Sequence, residues 1–260
     1  MKRGFNTRGQ VTIFILIGIV IVALGILIYM FYSEIKESVE IEAKNPSAFM
    51  QSCLEEQIGE GVEKLGISGG SLDPEHYFLY QDEKIEYLCY TEEYYQTCVM
   101  QQPMLKKHVE SEIKDYIEKD FENCLDSLKE SYEKKNYRVN MKKEDFEVEL
   151  LPKRIVVFSN SSLTLSKDGS QEYDSLRVVV NNNLYELISV SNSILDWEAK
   201  YGDSETTIYM DYYRDLKVEK LKQSDGTTIY ILTDRNNRNK FQFASRSVAW
   251  PPGYGTGDVI

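Results

Sequence analysis

The chain has 260 residues, a formal charge of −12 and 12% aromatic side chains, 19 of them tyrosine. So much aromatic area excludes a disordered chain, because there is apolar surface to bury. Every acidic residue follows Tyr32. From residue 33 onward, 27 Lys and Arg face 42 Asp and Glu, a charge of −15 that repels phosphate backbones and argues against nucleic acid as a partner.

Residues 1–9 form a short basic leader with Lys2, Arg3 and Arg8. From Val11 to Tyr32 run 22 residues without a formal charge, nearly all large and apolar. At about 1.5 Å per residue such a helix crosses a hydrocarbon core of roughly 30 Å. Cations precede this run, whereas Glu34, Glu37, Glu40 and Glu42 follow it. The positive-inside rule then puts the N-terminus in the cytoplasm and the bulk of the chain outside, on a single-pass anchor in the cell membrane. No glycine or proline interrupts residues 33–44, so the spacing predicts one rod over residues 10–44, about 50 Å long, ended at Asn45-Pro46.

Residues 45–136 read as a helical region. Ser47 is placed to cap a helix with Phe49, Met50, Cys53, Leu54, Ile58, Val62 and Leu65 on one face, stopped by Gly66-Ile67-Ser68-Gly69-Gly70. Short tyrosine-rich strands follow at 77–79 and 84–100. Pro103 suits the first position of a long helix, on which Leu105, Val109, Ile113, Ile117, Phe121, Cys124, Leu128 and Tyr132 make one stripe as far as Lys134.

Residues 137–249 change to a strand period. Strands are expected at 137–141, 146–151, 154–159 and 163–165, with Asp168-Gly169 turning the chain into a returning strand at 176–180. A helix from Leu184 past Trp197 closes at Gly202, and further strands are expected at 207–213, 216–221, 228–232 and 240–245, with turns at Asp225-Gly226 and Asn236-Asn237. Residues 250–260 read as an irregular tail. The expected class is α+β: amphipathic helices near the membrane, then a mainly antiparallel region.

Cys53, Cys89, Cys98 and Cys124 all fall outside the membrane, where two bridges can form with three possible connectivities. Matching contexts favour Cys89–Cys98 across a hairpin and Cys53–Cys124 between two helix faces; buried free thiols are the alternative. No CxxC pair exists, and only His76 and His108 could assist a metal, so no metal or cofactor is expected. Gly66-Ile67-Ser68-Gly69-Gly70 has the letters of a nucleophile elbow. That motif needs a strand before the serine and a helix after it, whereas here a helix precedes and Asp73-Pro74 follows. A glycine-rich helix stop accounts for it, and no catalytic residue is expected. Asn160-Ser161-Ser162 is the one N-glycosylation sequon and lies on the external side.

The junction Arg8-Gly9-Gln10 directly before the apolar run resembles the class III signal peptide of archaeal type IV pilin-like proteins. The resemblance implies a cut by a prepilin-type peptidase between Gly9 and Gln10, leaving the anchor on a mature chain of 251 residues. Unlike in bacterial pilins, the fifth mature residue is then Phe14 in place of glutamate. The layout beyond, with Cys-Leu on two helices and Gly-Gly after the first, is similar to surface proteins of small-genome archaea of uncharacterised activity. Two functions follow as expectations. One is a structural or adhesive part in a surface filament or related assembly, packed against copies or other pilin-like subunits, with Gly18 and Gly25 on a close-approach face. The other is a single-pass surface protein that binds an envelope polymer, partner protein or ligand without forming filaments.

Overall fold

The computed structural model describes residues 45–249 and, within the apolar run, the helical residues Ile17, Gly18, Val20, Ile21, Val22 and Ile26. The Arg8-Gly9-Gln10 junction, the remainder of 11–44 and the tail from Trp250 lie outside the described residues. Among the described residues, no helix is long and apolar enough to cross a membrane. The chain divides into two compact units, Met1–Phe49 and Met50–Ile260, and the second holds nearly all that follows.

Helix α1 spans Pro46–Ser68. Asn45, rather than the expected Ser47, caps it: the Asn45 side chain accepts the Ser47 N–H at 3.0 Å, and its carbonyl accepts the Phe49 N–H at 3.1 Å. Pro46 thereby takes the first helical position, where a missing N–H costs nothing. Met50, Leu54, Ile58, Val62 and Leu65 of the expected face are buried, whereas Phe49 and Cys53 are half-buried. The stop is narrower than the five-residue run. Gly69 and Gly70 have φ of +92° and +105°, and the Gly70 N–H reaches back to the Leu65 carbonyl at 2.8 Å, closing the last turn. Gly66 remains helical and has a different duty. A Cβ there would sit 2.2 Å from the Lys240 carbonyl oxygen, so only glycine lets a neighbouring strand pass this closely.

Helix α2 spans Leu105–Lys134, and all eight residues of its predicted stripe are buried, joined by Leu125. Pro103 does not open it. The N-cap position is Met104, whose carbonyl accepts the His108 N–H at 3.0 Å, and Pro103 lies one residue outside in the preceding turn. Cys53–Cys124 bonds α1 to α2, and Cys89–Cys98 closes a short loop, the pairing the sequence contexts favour.

Strands β1 (Tyr77–Tyr80), β2 (Glu83–Tyr90), β3 (Val99–Met100), β10 (Leu216–Lys222), β11 (Thr227–Asp234) and β12 (Lys240–Arg246) make one sheet in the order β1-β2-β12-β11-β10, with β3 beside β2. Its neighbours are antiparallel except β2 and β12, which run parallel. This sheet draws strands from both sides of residue 136. Cys89 faces Met100 across the β2–β3 ladder, so Cys98 sits just outside the ladder instead of directly opposite its partner.

Two three-stranded antiparallel sheets complete the unit: β4 (Arg138–Lys142), β7 (Ser162–Ser166) and β8 (Ser170–Tyr173); and β5 (Phe146–Leu151), β6 (Arg154–Ser159) and β9 (Leu176–Asn181). The Asp168-Gly169 turn returns the chain into β8, not into Leu176–Val180. The latter belongs to β9 and pairs with β6 in the other sheet. The expected α+β class with mainly antiparallel sheet is what the chain forms. Phe121 of α2 stacks on Phe146 of β5 at 4.2 Å.

Helix α3 spans Leu184–Tyr201 and ends at Gly202 with φ +77°. The segment expected to be a strand at 207–213 is instead the short helix α4, Thr207–Tyr212. Its β-branched and aromatic residues favour a strand, but none is buried, so no sheet face rewards the alternation. The Glu205 carboxylate instead accepts the Thr207 N–H at 2.9 Å at the start of the helix.

Replacing Gly66 by Ala is expected to cost about 2 kcal/mol in a denaturant melt, since a backbone carbonyl must give way. The same change at Gly59, where a Cβ would meet nothing within 4 Å, is expected to gain up to about 1 kcal/mol. Removing Cys53–Cys124, which closes a 71-residue separation, should cost about 4 kcal/mol, against about 3 for Cys89–Cys98 with its separation of 9. Equal losses for the two would contradict the chain-entropy reading.

Candidate functional site

A chemically mixed cleft of about 450 Å³ lies among the described residues. Helix α1 supplies Gly59, Val62, Glu63 and Ile67, and the start of α3 supplies Asn182, Leu184 and Leu187. The β11–β12 turn closes it with Asn237, Arg238, Asn239 and Lys240. Val62, Leu184 and Leu187 are buried beneath it, so the floor is apolar and the rim is amide and charge.

Local hydrogen bonds fix that rim. Asn182 Oδ1 accepts the Leu184 N–H at 2.8 Å, and the Asn183 carbonyl accepts from Glu186 and Leu187, which starts α3. Asp234 Oδ1 accepts the N–H groups of Asn236 at 2.7 Å and Asn237 at 3.3 Å, folding the turn onto its own side chain. The two segments are then tied side chain to side chain. Asn183 Nδ2 donates to Asp234 Oδ2 at 2.6 Å, and Asn183 Oδ1 accepts from Asn237 Nδ2 at 3.1 Å and Asn239 Nδ2 at 2.6 Å. Arg238 takes a φ of +63°, a region in which a bulky residue carries a cost of about 1 kcal/mol.

A second polar cluster is buried. Glu198 of α3 is 1% exposed. Its carboxylate accepts from the Tyr230 hydroxyl and, at 3.0 Å, from Ser245 Oγ, which lies 3.6 Å from Cys98 Sγ. Ser247 Oγ donates to the Glu198 carbonyl at 3.1 Å and accepts the Cys98 N–H at 3.1 Å. Burial pushes the Glu198 carboxyl up, with Asp203 adding to the rise, while the bonds from Tyr230 and Ser245 and the charge of Lys220 work against it. Burial, then the neighbouring carboxylate, pushes the Tyr230 hydroxyl well up. This network joins helix, sheet and disulfide loop, and opens onto no cleft residue.

The structure also assembles a serine, a histidine and a carboxylate that the sequence did not connect. Ser71 Oγ lies 2.5 Å from Glu86 Oε2 and 2.7 Å from His108 Nε2. A serine has one proton, and a carboxylate only accepts. Ser71 therefore donates to Glu86, and His108 must donate its Nε2 proton to the serine oxygen. In this arrangement the trio tethers the α1 stop to α2 and β2.

The sequence-predicted residues lie elsewhere. Ser68, in the GxSxG run, ends α1, and its one hydroxyl proton is shared between the Lys64 carbonyl at 3.0 Å and the Ser71 carbonyl. His76 packs against Tyr87 and Tyr90 at ring separations of 4.8 and 4.2 Å. Asn160 is exposed between β6 and β7, flanked by buried Ser159 and Ser161, whose hydroxyls bond each other at 2.8 Å. The four cysteines form the two bridges described. Among the described residues no three His, Cys, Asp or Glu side chains are grouped to hold a metal ion. The cleft was missed because Asn236-Asn237 read only as a turn. The usable signal was two asparagine-rich runs, 181–183 and 236–239, each beside an apolar element.

No family model, curated protein or solved structure matches this chain.

A carboxyl whose folded-state pKa is raised stabilises the fold below its unfolded value, and that contribution is lost as pH rises through the folded one. The melting-temperature advantage of Glu198→Gln over the natural chain should therefore be larger at pH 8 than at pH 4. A difference independent of pH would show that Glu198 titrates as it does unfolded.

Proposed function

We propose that this chain is a pilin-like, membrane-anchored extracytoplasmic protein with a structural or adhesive role in a surface filament or related assembly. The observation that carries the reading is Arg8-Gly9-Gln10 placed immediately before 22 uncharged residues, the order that leaves an anchor on the mature chain after a cut between Gly9 and Gln10. In this reading the anchor continues as a rod to Lys44, the N-terminus is cytoplasmic, and the partners are the bilayer, a prepilin-type peptidase and copies or other pilin-like subunits. Two disulfides suit an oxidising exterior. No catalytic role, cofactor or nucleic acid partner belongs to it; Ser68 serves the helix stop.

A second reading is a single-pass surface protein that binds an envelope polymer, partner or ligand without assembling. The cleft favours it, as do exposed aromatic rings at Trp197, Tyr201, Tyr212 and Tyr213, since flat rings with a polar handle suit contact surfaces.

N-terminal peptide analysis of protein from its native cells should find a chain that starts at Gln10, recovered with sheared surface filaments. A start at Met1 would end the pilin-type reading, and a Gln10 start retained wholly in membranes would favour the second. If Asn160 is the acceptor on the outer face, the native protein should lose one glycan mass on Asn160→Gln; an unchanged mass means the sequon is unused.

A further inference from the structure

We infer that the cleft between α1, the start of α3 and the β11–β12 turn is a binding site for an acidic saccharide, a sugar ring bearing a carboxylate. The inference rests on the second reading only for the source of the ligand; the recognition chemistry belongs to the cleft itself. Its volume of about 450 Å³ falls within the roughly 300–1,000 Å³ range of small-molecule sites.

Three features set the ligand class. First, Arg238 and Lys240 bring two cations to one rim in a chain whose charge from residue 33 onward is −15. Among the described residues neither is held in an ion pair, whereas Lys220 of β10, in the same sheet, is tied to Asp203 at 2.5 Å. A guanidinium beside an ammonium fits a carboxylate, and the guanidinium can take it with two parallel bonds. Second, amides stand around these cations. Asn182 uses Oδ1 on α3 and leaves Nδ2 to donate; Asn239 uses Nδ2 on Asn183 and leaves Oδ1 to accept. Paired donors and acceptors are what sugar hydroxyls need. Third, the floor of Val62, Leu184 and Leu187 offers an apolar surface to the C–H face of a ring.

Glu63 discriminates further. Placed on the opposite wall by α1, it accepts hydroxyl protons but repels a second carboxylate inside the cleft, so one uronate ring occupies the cleft and the further rings of an oligouronate lie outside it. One carboxylate among several hydroxyls describes a uronate ring better than a run of acidic side chains in a peptide. The rim is also organised before any ligand arrives, since Asn183 and Asp234 hold both asparagine runs in place, so little ordering entropy opposes binding. The backbone of Arg238 points the same way. A turn needing φ of +63° is cheapest with glycine or asparagine, and the chain places arginine there with asparagine on both sides.

Full-length protein in detergent, titrated calorimetrically with trigalacturonate, should bind it saturably and more weakly as salt rises. The α-1,4-linked galactotriose, the neutral counterpart, should bind at least tenfold more weakly. Arg238→Gly should weaken trigalacturonate binding at least tenfold while the melting temperature stays equal or rises, because glycine relieves the backbone and removes the cation together; Lys240→Ala should weaken it without unfolding. The assignment fails if trigalacturonate does not bind, if Arg238→Gly binds as the natural chain does, or if triglutamate binds as well as trigalacturonate. Co-sedimentation with polysaccharide extracted from the native cell envelope separates the two ideas. If both the natural chain and Arg238→Gly co-sediment while trigalacturonate fails, polymer binding stands and the cleft assignment falls. If trigalacturonate binds and nothing co-sediments, the cleft stands and the polymer reading falls.

Discussion

The parallel pairing of β2 with β12 is the constraint on which the larger unit depends. It places Tyr87 beside Ala244 and Arg246 beside Tyr90, residues more than 150 positions apart. Parallel neighbours cannot be joined by a tight turn, so the whole intervening chain must be accommodated before the ladder closes. Closing so long a loop costs roughly 4 kcal/mol beyond a constant, a term that grows only logarithmically with length. The interior returns more than that. Ile85, Leu88, Phe241, Phe243 and Ala244 are fully buried around the junction, and each large apolar side chain contributes about 1.5–3 kcal/mol.

Once β12 is in place, its backbone and side chains organise what surrounds it. The Lys240 carbonyl passes against Gly66 of α1, and Gln242 Nε2 donates to the Ile67 carbonyl at 2.7 Å, which seats the end of α1 on the sheet. Ser245 and Ser247 reach Glu198 of α3 and the Cys98 region together, so one strand couples a helix to the small disulfide loop. A buried carboxyl with two hydroxyl donors is tolerated because both of its oxygens are occupied; without them its desolvation would be uncompensated. The cleft rim is a by-product of the same placement. The turn that leads into β12 carries Arg238 and Lys240, and α1 and α3, packed beside it, supply the opposing walls.

Legibility in the sequence followed how local the physics was. The α2 stripe was readable because eight of its buried residues repeat at helical spacing along the helix. The Asp225-Gly226 and Asn236-Asn237 turns were readable because their backbone chemistry is local; Gly226 takes φ +90° and Asp234 folds the second turn. The pairing of Cys53 with Cys124 was favoured by their matching contexts on two apolar helix faces, and the structure forms it. Misreadings arose where the deciding partner was distant. Leu176–Asn181 has the alternation of a strand that could have returned to β7, and only the position of β6 decides its sheet. Thr207–Tyr212 has strand composition but no face to bury. Gly66 resembled punctuation and is a packing contact with a strand some 170 residues later. The cleft was illegible for the same reason, since no single element holds more than part of its chemistry.

By itself the sequence determined the apolar run with its basic leader, the charge of the remainder, the amphipathic faces, the turns and the α+β class, because each depends on spacing, composition or φ within a few residues. Tertiary structure alone decided that the first and last strands share a sheet, that Glu198 loses its water to Tyr230 and Ser245, that Ser71, His108 and Glu86 meet, and that two asparagine runs close a charged cleft. Those outcomes depend on which surfaces exclude water from one another, and that is settled only when residues far apart in the chain compete for the same space.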